Sequence, residues 1–146
     1  MYTPQDCEEK VISYLQANAA LIALQQPKKG GITRGDLRAV DSDRDVVVDT
    51  LSLTDGDVQL AVVNVKCYIK AKKEETADFV RDIPDIEMFD LMVREITVAL
   101  NGNKGKYWAK GNLYISNISN SKLKNADTKE YFNNIRVSMR MHNTKN

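Results

Sequence analysis

The sequence is poor in the residues that most often carry chemistry. Its 146 residues include two cysteines, one histidine and one tryptophan. Cys7 and Cys67 lie far apart and form no CxxC pair, so we expect neither a metal site nor a disulfide framework. His142 has no second histidine with which to share a metal. We therefore expect no cofactor and no enzymatic activity.

Long apolar runs and a strong net charge are also missing. No uncharged apolar stretch approaches the length of a membrane span, and the first residues do not form a secretory signal. The 21 basic residues nearly balance the 20 acidic ones, which excludes simple attraction to a polyanion as the main function. The length and a hydrophobic content of 42% predict one folded domain, residues 1–146, inside the cell.

The charges are unevenly distributed along the chain. Residues 34–57 contain seven aspartates and three arginines, a net charge of −4. Residues 101–146 contain nine basic and two acidic residues, a net charge of +7. These segments are either two solvated faces, or complementary surfaces through which one copy contacts the next. A head-to-tail contact of the second kind closes into a ring when the rotation allows it.

The first half of the sequence predicts one helix followed by strands. Thr3 is a good N-cap, with Pro4 at the first helical position and Asp6 in capping-box spacing, and apolar residues recur at helical spacing as far as Gln25. A short strand is predicted at 32–34. A hairpin follows, with strands around an Asp-Gly turn, and its return strand ends near Lys70.

The second half predicts one more helix and two more strands. Residues 71–82 are charged and without periodicity, which predicts a surface loop. Asp82 is a candidate cap for a second helix that ends at Asn101. Strands are predicted over 107–118 and 131–142, with a polar loop over 119–129. The sequence therefore predicts an α+β fold, an antiparallel sheet of four to five strands packed with two helices in the order α-β-β-(β)-α-β-β.

The sequence matches two metal-binding motifs only in part. Asp41, Asp43 and Asp45 alternate as at the start of a calcium loop, but Ser52 stands where that loop needs glutamate. A magnesium-dependent nuclease would need an acid two residues before Lys66, and that position is asparagine. Neither motif predicts a site.

Nucleic-acid binding is an alternative that rests on the basic last third. Aromatic residues stand among its lysines and could stack on single-stranded bases; they are Tyr107, Trp108, Tyr114 and Tyr131. Strand propensity alone also explains these residues as parts of a sheet. The composition leaves both interpretations open and favours protein partners over nucleic acid.

Three stretches of the sequence resemble a known family of phage proteins. They are residues 32–38 (ITRGDLR), 41–48 (DSDRDVVV) and 62–69 (VVNVKCYI). With the order of elements over nearly the whole chain, they resemble the tail terminator or tail-completion proteins, which act in head–tail joining in tailed phages and prophages. The shared stretches are structural and contain no active site.

The resemblance implies a virion structural protein assembled in the bacterial host cytoplasm. It implies a homo-oligomeric ring, a hexamer, that docks on the tail tube protein, ends tube growth and meets the head connector protein. No cofactor, membrane or catalytic residue is implied. An adaptor bound at the head–tail connector remains an alternative within the same particle. Residues 35–45 are predicted to form an exposed acidic loop, and this loop with the preceding Arg34 supplies the candidate contacts with a partner or second copy: Arg34, Asp36, Arg38, Asp41, Asp43 and Arg44.

Overall fold

The structure is a computed structural model that describes residues 1–35, 43–101, 108–110, 113–125 and 130–142. Helices α1, α2 and α3 cover Pro4–Gln16, Ala19–Gln25 and Ile86–Asn101, and one turn of 3₁₀ helix covers Gln26–Lys28. Strands β1 to β8 cover Ile32–Arg34, Arg44–Leu53, Val58–Lys70, Lys72–Glu75, Val80–Ile83, Trp108–Lys110, Leu113–Asn125 and Glu130–His142. The predicted α+β class is confirmed.

The start of α1 is the capping box that the sequence predicts. The hydroxyl of Thr3 accepts a hydrogen bond from the backbone N–H of Asp6 at 3.2 Å. In return, the Asp6 carboxylate accepts one from the backbone N–H of Thr3 at 2.8 Å. Two of the N–H groups that a helix start leaves without backbone partners are thereby satisfied.

The first helical region consists of two helices, so the prediction of one helix reaching Gln25 is wrong. The chain leaves α1 at Ala17 and begins α2 with Asn18 as N-cap. The Asn18 side chain accepts a hydrogen bond from Leu21 N–H at 3.0 Å and donates one to the carbonyl of Glu95 in α3 at 3.1 Å. The tertiary contact with α3 and the local cap together favour the break.

The main sheet has six strands in the order β1-β2-β3-β8-β7-β6. Every neighbouring pair is antiparallel except β1 and β2, which are parallel. Strand β3 pairs with β8 without interruption from Val58 opposite His142 to Lys70 opposite Glu130. The predicted antiparallel sheet of four to five strands therefore has at least one strand too few. The predicted antiparallel direction is wrong for β1, which pairs in parallel with β2.

Two segments predicted as loops are strands. Residues 71–82, predicted as a surface loop, contain β4 and most of β5, which pair with each other in a separate two-stranded sheet. Residues 119–125, assigned to a polar loop, continue β7, because their backbone pairs with β8. The predicted strand at 107–118 is divided between β6 and β7, which pair with each other. Non-local backbone pairing outweighs the polar composition in these segments.

The cap of α3 also differs from the prediction. Asp82 lies in β5 and its carboxylate contacts the Lys73 ammonium at 3.0 Å. Asp85 caps the helix instead, because its carboxylate accepts a hydrogen bond from Met88 N–H at 3.3 Å. The end at Asn101 agrees with the prediction.

The core lies between the helices and one face of the sheet. Alternate residues of β3 and β8 are buried, as their sequence alternation predicts. From the helices, Leu15, Leu21, Phe89 and Met92 join the same cluster. No helix in the described part of the chain has the length and apolarity needed to span a membrane.

Candidate partner-binding surfaces

The predicted contact residues are divided between two places. Arg34 ends β1 opposite Val48, whereas Arg44 begins β2 four residues before Val48. That interval along a strand corresponds to about 13 Å. Asp43 directly precedes Arg44. The other three predicted residues, Asp36, Arg38 and Asp41, lie outside the described residues.

Asp43 and Arg44 hold the start of β2 against the end of the helical region. The Arg44 guanidinium donates a hydrogen bond to the Leu24 carbonyl at 2.8 Å, and Asp43 N–H donates one to the Lys28 carbonyl at 3.1 Å. A Cβ at Gly30 would overlap the backbone carbonyl of Arg44, so the close approach requires glycine there. That Asp43 and Arg44 contact another molecule stays a prediction.

The aspartates of the acidic segment are not equally accessible. Asp45 is buried and its carboxylate accepts a hydrogen bond from Gly31 N–H at 3.1 Å. The Asp49 carboxylate lies against the backbone of Gly35. By contrast, Asp55 and Asp57 are exposed in the turn between β2 and β3. The segment's net charge of −4 therefore overstates the negative charge that a partner would meet.

We call residues 54–57 the acidic turn, and its exposed apolar neighbours are Leu51, Val58 and Leu60. The turn is held in place, because Leu60 N–H donates to the Thr54 hydroxyl at 2.8 Å and Gln59 donates its amide to the Thr54 carbonyl at 2.9 Å. Gly56 adopts a φ of 116°, which other residues rarely adopt. Leu51 and Leu60 are each more than half exposed, at 56% and 54%.

The opposite end of β3 carries an open cavity of about 240 Å³, which we call the basic cavity. Four cations and two carboxylates line it, together with Ile69 and Ala71. Both carboxylates already accept contacts within the chain, because Asp85 caps α3 and Asp43 lies 3.9 Å from the Lys70 ammonium. The cations are Lys28, Arg44, Lys70 and Lys72.

Strands β4 and β5 form an exposed arm, residues 72–83, beside the basic cavity. Cross-strand ion pairs join Arg81 to Glu74 at 2.7 Å and Lys73 to Asp82 at 3.0 Å. No residue of the arm is buried, and near its turn Phe79 and Val80 are 48% and 58% exposed. Exposed apolar side chains beside charged ones are typical of protein contact surfaces.

The sheet face away from the helices is polar and partly basic. Tyr68 and Phe132 pack with ring centroids 5.0 Å apart, and the Lys66 ammonium lies 5.8 Å from the Phe132 ring. Arg136 and Arg140 project exposed from β8. Of the aromatic residues named from the sequence, Tyr114 pairs in β7 with Arg140 of this face. Tyr131 packs against the core, Trp108 and Tyr114 lie in β6 and β7, and Tyr107 lies outside the described residues.

A groove of about 450 Å³ lies beside the start of α1. Met1, Tyr2 and Tyr14 line it with charged residues of α1, and the Lys10 ammonium lies 5.2 Å from the Tyr2 ring. The groove is wide open and has a lining of mixed charge, so it defines no ligand chemistry.

Both cysteines are packing residues. Cys7 and Cys67 are buried, and the Cys7 thiol contacts the sulfur of Met141 at 3.9 Å. Burial raises the pKa of Cys7 to about 11 and that of Cys67 to about 12, which keeps both thiols protonated at neutral pH. Within the described ranges, no three histidine, cysteine or acidic side chains converge on a possible metal position.

Comparisons with known proteins identify the fold. No protein family and no curated protein sequence matches this chain. Among solved structures, it is similar to a chain in the virion of a native gene transfer agent particle, with a TM-score of 0.57 and 12% identity. The match covers 91% of this chain and 92% of that chain. The two chains therefore share a fold over almost their whole lengths.

Sequence reasoning missed the arm and most of the basic cavity. The arm does have a sequence signal, since oppositely charged residues stand at matching distances on either side of its turn: Lys73 and Asp82, Glu74 and Arg81. The cavity has none, because its cations come from the 3₁₀ helix, β2, β3 and β4. Only the fold brings these separate segments together.

Proposed function

We propose that this chain is a non-enzymatic structural protein of a virion. The supporting observation is its fold, which is similar over nearly its whole length to a chain of a gene transfer agent virion. The sequence stretches 32–38, 41–48 and 62–69 support the same class through their resemblance to phage tail-completion proteins. The proposed location is therefore the particle itself, after assembly in the host cytoplasm.

Within the particle, the proposed role is that of a tail terminator. Copies of the chain would form a ring of six at the head-proximal end of the tail tube. One side of the ring would bind the last tube subunits and stop growth, and the other would bind the head connector. Exposed apolar side chains on the arm and around the acidic turn suit contacts within such an assembly, because covering them gains free energy.

Deleting the gene in the phage or prophage that encodes the chain tests this role. A tail terminator should leave tails of uncontrolled length that are separate from filled heads, as seen by electron microscopy. Supplying the intact gene in trans should restore joined particles of normal tail length. Tails of normal length beside unjoined heads would indicate the adaptor role instead. Normal particles after deletion, or purified particles without the chain, would contradict a virion role.

Nucleic-acid binding is the second candidate, and the polar sheet face favours it. Lys66, Arg136 and Arg140 lie there with the packed rings of Tyr68 and Phe132. If this face binds single-stranded DNA, affinity must fall steeply between low and high salt because phosphate binding releases counterions. Replacing Arg136 and Arg140 with glutamine should then weaken binding at least tenfold. Binding that is absent or insensitive to salt would remove this candidate.

A further inference from the structure

We propose that copies of this chain bind head to tail, with the acidic turn of one copy seated in the basic cavity of the next. The proposal deepens the function given above and rests on it for biological meaning, because the contact would join neighbouring subunits of the ring. It replaces the contact suggested by segment charges, between residues 34–57 and 101–146, with two surfaces defined by their side chains.

The two surfaces lie at opposite ends of one long strand. Val58 begins β3 at the acidic turn, and Lys70 ends it at the basic cavity. Thirteen residues of strand separate the two ends by about 40 Å. One copy therefore cannot bring its own turn to its own cavity. A contact between two different surfaces repeats from copy to copy, and it produces a ring if the rotation closes or a filament if it does not.

The charges of the two surfaces are opposite in sign. Asp55 and Asp57 carry two negative charges, and no basic residue occurs from position 51 to 60. The cavity has four cations against two carboxylates, an excess of two positive charges. The Lys70 side chain is 65% exposed, and its distance of 3.9 Å from the Asp43 carboxylate is long for an ion pair, so its ammonium can also contact an anion of another copy. Opposite charges of this kind favour correct pairing and speed encounter.

Apolar side chains border both surfaces. Leu51, Val58 and Leu60 are exposed around the acidic turn. Ile86 is exposed one residue after Asp85, which lines the cavity, and Phe79 and Val80 are exposed at the turn end of the arm, about 10 Å along its strands from the cavity residue Lys72. Only Met1 and Leu91 complete the set of exposed large apolar residues among those described. One head-to-tail contact would thus cover most of that set, giving an apolar region bordered by charge.

Cross-linking between introduced cysteines tests the proposed direction of the contact. The single variants Asp55→Cys and Lys72→Cys place one thiol in the turn and one beside the cavity. Cys7 and Cys67 are buried, so wild-type protein treated with a short bis-maleimide is the background control. Each single variant should stay monomeric on a denaturing gel, their mixture should give dimers and nothing larger, and the double variant should give a ladder.

Other cross-linking patterns would overturn the proposal. Dimers of Asp55→Cys alone would mean that two turns meet, which is a symmetric contact. If neither the mixture nor the double variant cross-links, the turn does not reach the cavity. This conclusion holds whether the wild type is oligomeric or monomeric at the concentration used.

Charge reversal supplies an independent measurement by light scattering over a range of protein concentrations. Asp55→Lys with Asp57→Lys should raise the concentration needed for association at least tenfold, as should Lys70→Glu with Lys72→Glu. Mixing the two reversed proteins should restore association, because each reversed turn then meets a reversed cavity. The control pair Glu9→Lys with Gln16→Lys changes the net charge in the same direction, by three units against four for the reversed turn, at exposed sites of α1 outside both surfaces and should leave association unchanged.

The outcomes separate this proposal from the proposed function. If reversal and cross-linking both fail while gene deletion leaves unterminated tails, the virion role stands and this contact is wrong. If the ladder forms while purified particles lack the chain, the contact stands and the virion role falls. Association that is equally weakened by the control pair would also refute the contact, because net charge alone would then explain it.

Discussion

The six-stranded body and the arm are stabilised by different interactions. In the body, one face of the sheet packs against three helices and buries a continuous apolar cluster. In the arm, residues 72–83 bury none of their side chains and are held by backbone pairing and two cross-strand ion pairs. Exposed ion pairs contribute little, and an isolated hairpin is only marginally stable. The body therefore provides stability, and the arm provides accessible surface.

Phenylalanine offers the sharpest test of this difference, because Phe89 lies in the core of the body and Phe79 lies in the arm. Phe89→Ala removes a ring that is 1% exposed in α3, and we expect a loss of about 3–5 kcal/mol in the free energy of unfolding. Phe79→Ala makes the same change in the arm and should cost less than about 1 kcal/mol. Urea denaturation measures both. Equal losses would mean that the arm is part of the cooperative core.

Gln59 joins the start of the chain to the acidic turn within the body. Its buried amide accepts a hydrogen bond from Tyr2 N–H at 2.7 Å and donates to the carbonyls of Tyr2 and Thr54 at 3.1 and 2.9 Å. Gln59→Ala leaves these backbone groups without their partner, so we expect a loss of about 1–3 kcal/mol. The exposed Gln16→Ala is the control and should change the unfolding midpoint little.

The cap of α1 should have a smaller effect. Thr3→Ala removes the hydroxyl that accepts from Asp6 N–H, and we expect a loss of about 1 kcal/mol. The control is Ser13→Ala, which removes an exposed hydroxyl from the middle of the same helix. A thermal or urea midpoint lowered equally by both variants would show that the effect comes from helix propensity and not from the cap.

Asp6 makes the stability of the body depend on pH. The hydrogen bond from the Thr3 backbone, followed by that from its side chain, lowers the pKa of Asp6 below its usual 3.8. The Asp6 carboxylate therefore makes its full contribution to the free energy of unfolding above pH 3.8. That contribution is lost as the pH falls through the lower pKa that Asp6 has in the folded protein. Asp6→Ala should cost less than about 1 kcal/mol at pH 7, and the difference from wild type should narrow in acid. A difference that grows below pH 3.8 would contradict this assignment.

The smallest effect is expected in the arm. Arg81→Ala removes the 2.7 Å ion pair with Glu74 and the contact of the guanidinium with the Phe79 ring at 5.3 Å. The unfolding free energy of the body should change by no more than about 0.5 kcal/mol. A larger loss than that of Thr3→Ala would show that the arm is coupled to the body.

Several local features could be predicted from the sequence because they depend on neighbouring residues. The capping box requires only Thr3 and Asp6 at the correct spacing. Strand β3 is recognisable because its alternation buries Val63, Val65 and Cys67 on one face. The turn at Gly56 likewise depends on a short sequence that favours positive φ.

Other features depended on partners distant in the sequence. A polar strand and a polar loop look alike in sequence, so the sequence predicts a loop at residues 119–125, and only the backbone pairing with β8 makes them a strand. Asp45 and Asp55 have the same charge in the sequence, but only the fold shows that Asp45 is buried and Asp55 exposed. The predicted contact residues also depend on the fold, because of the three that are described Arg34 lies apart from the neighbouring Asp43 and Arg44.

The sequence by itself determined the α+β class, the start of α1 and the alternating faces of β3 and β8, since periodicity and capping are local properties. Only the tertiary structure decided the break at Asn18, the pairing of the arm with itself and the assembly of four cations around the basic cavity. The physical reason is that side chains from separate segments acquire a common environment only when non-local pairing and packing fix their positions. The surfaces proposed for head-to-tail contact belong to this second class.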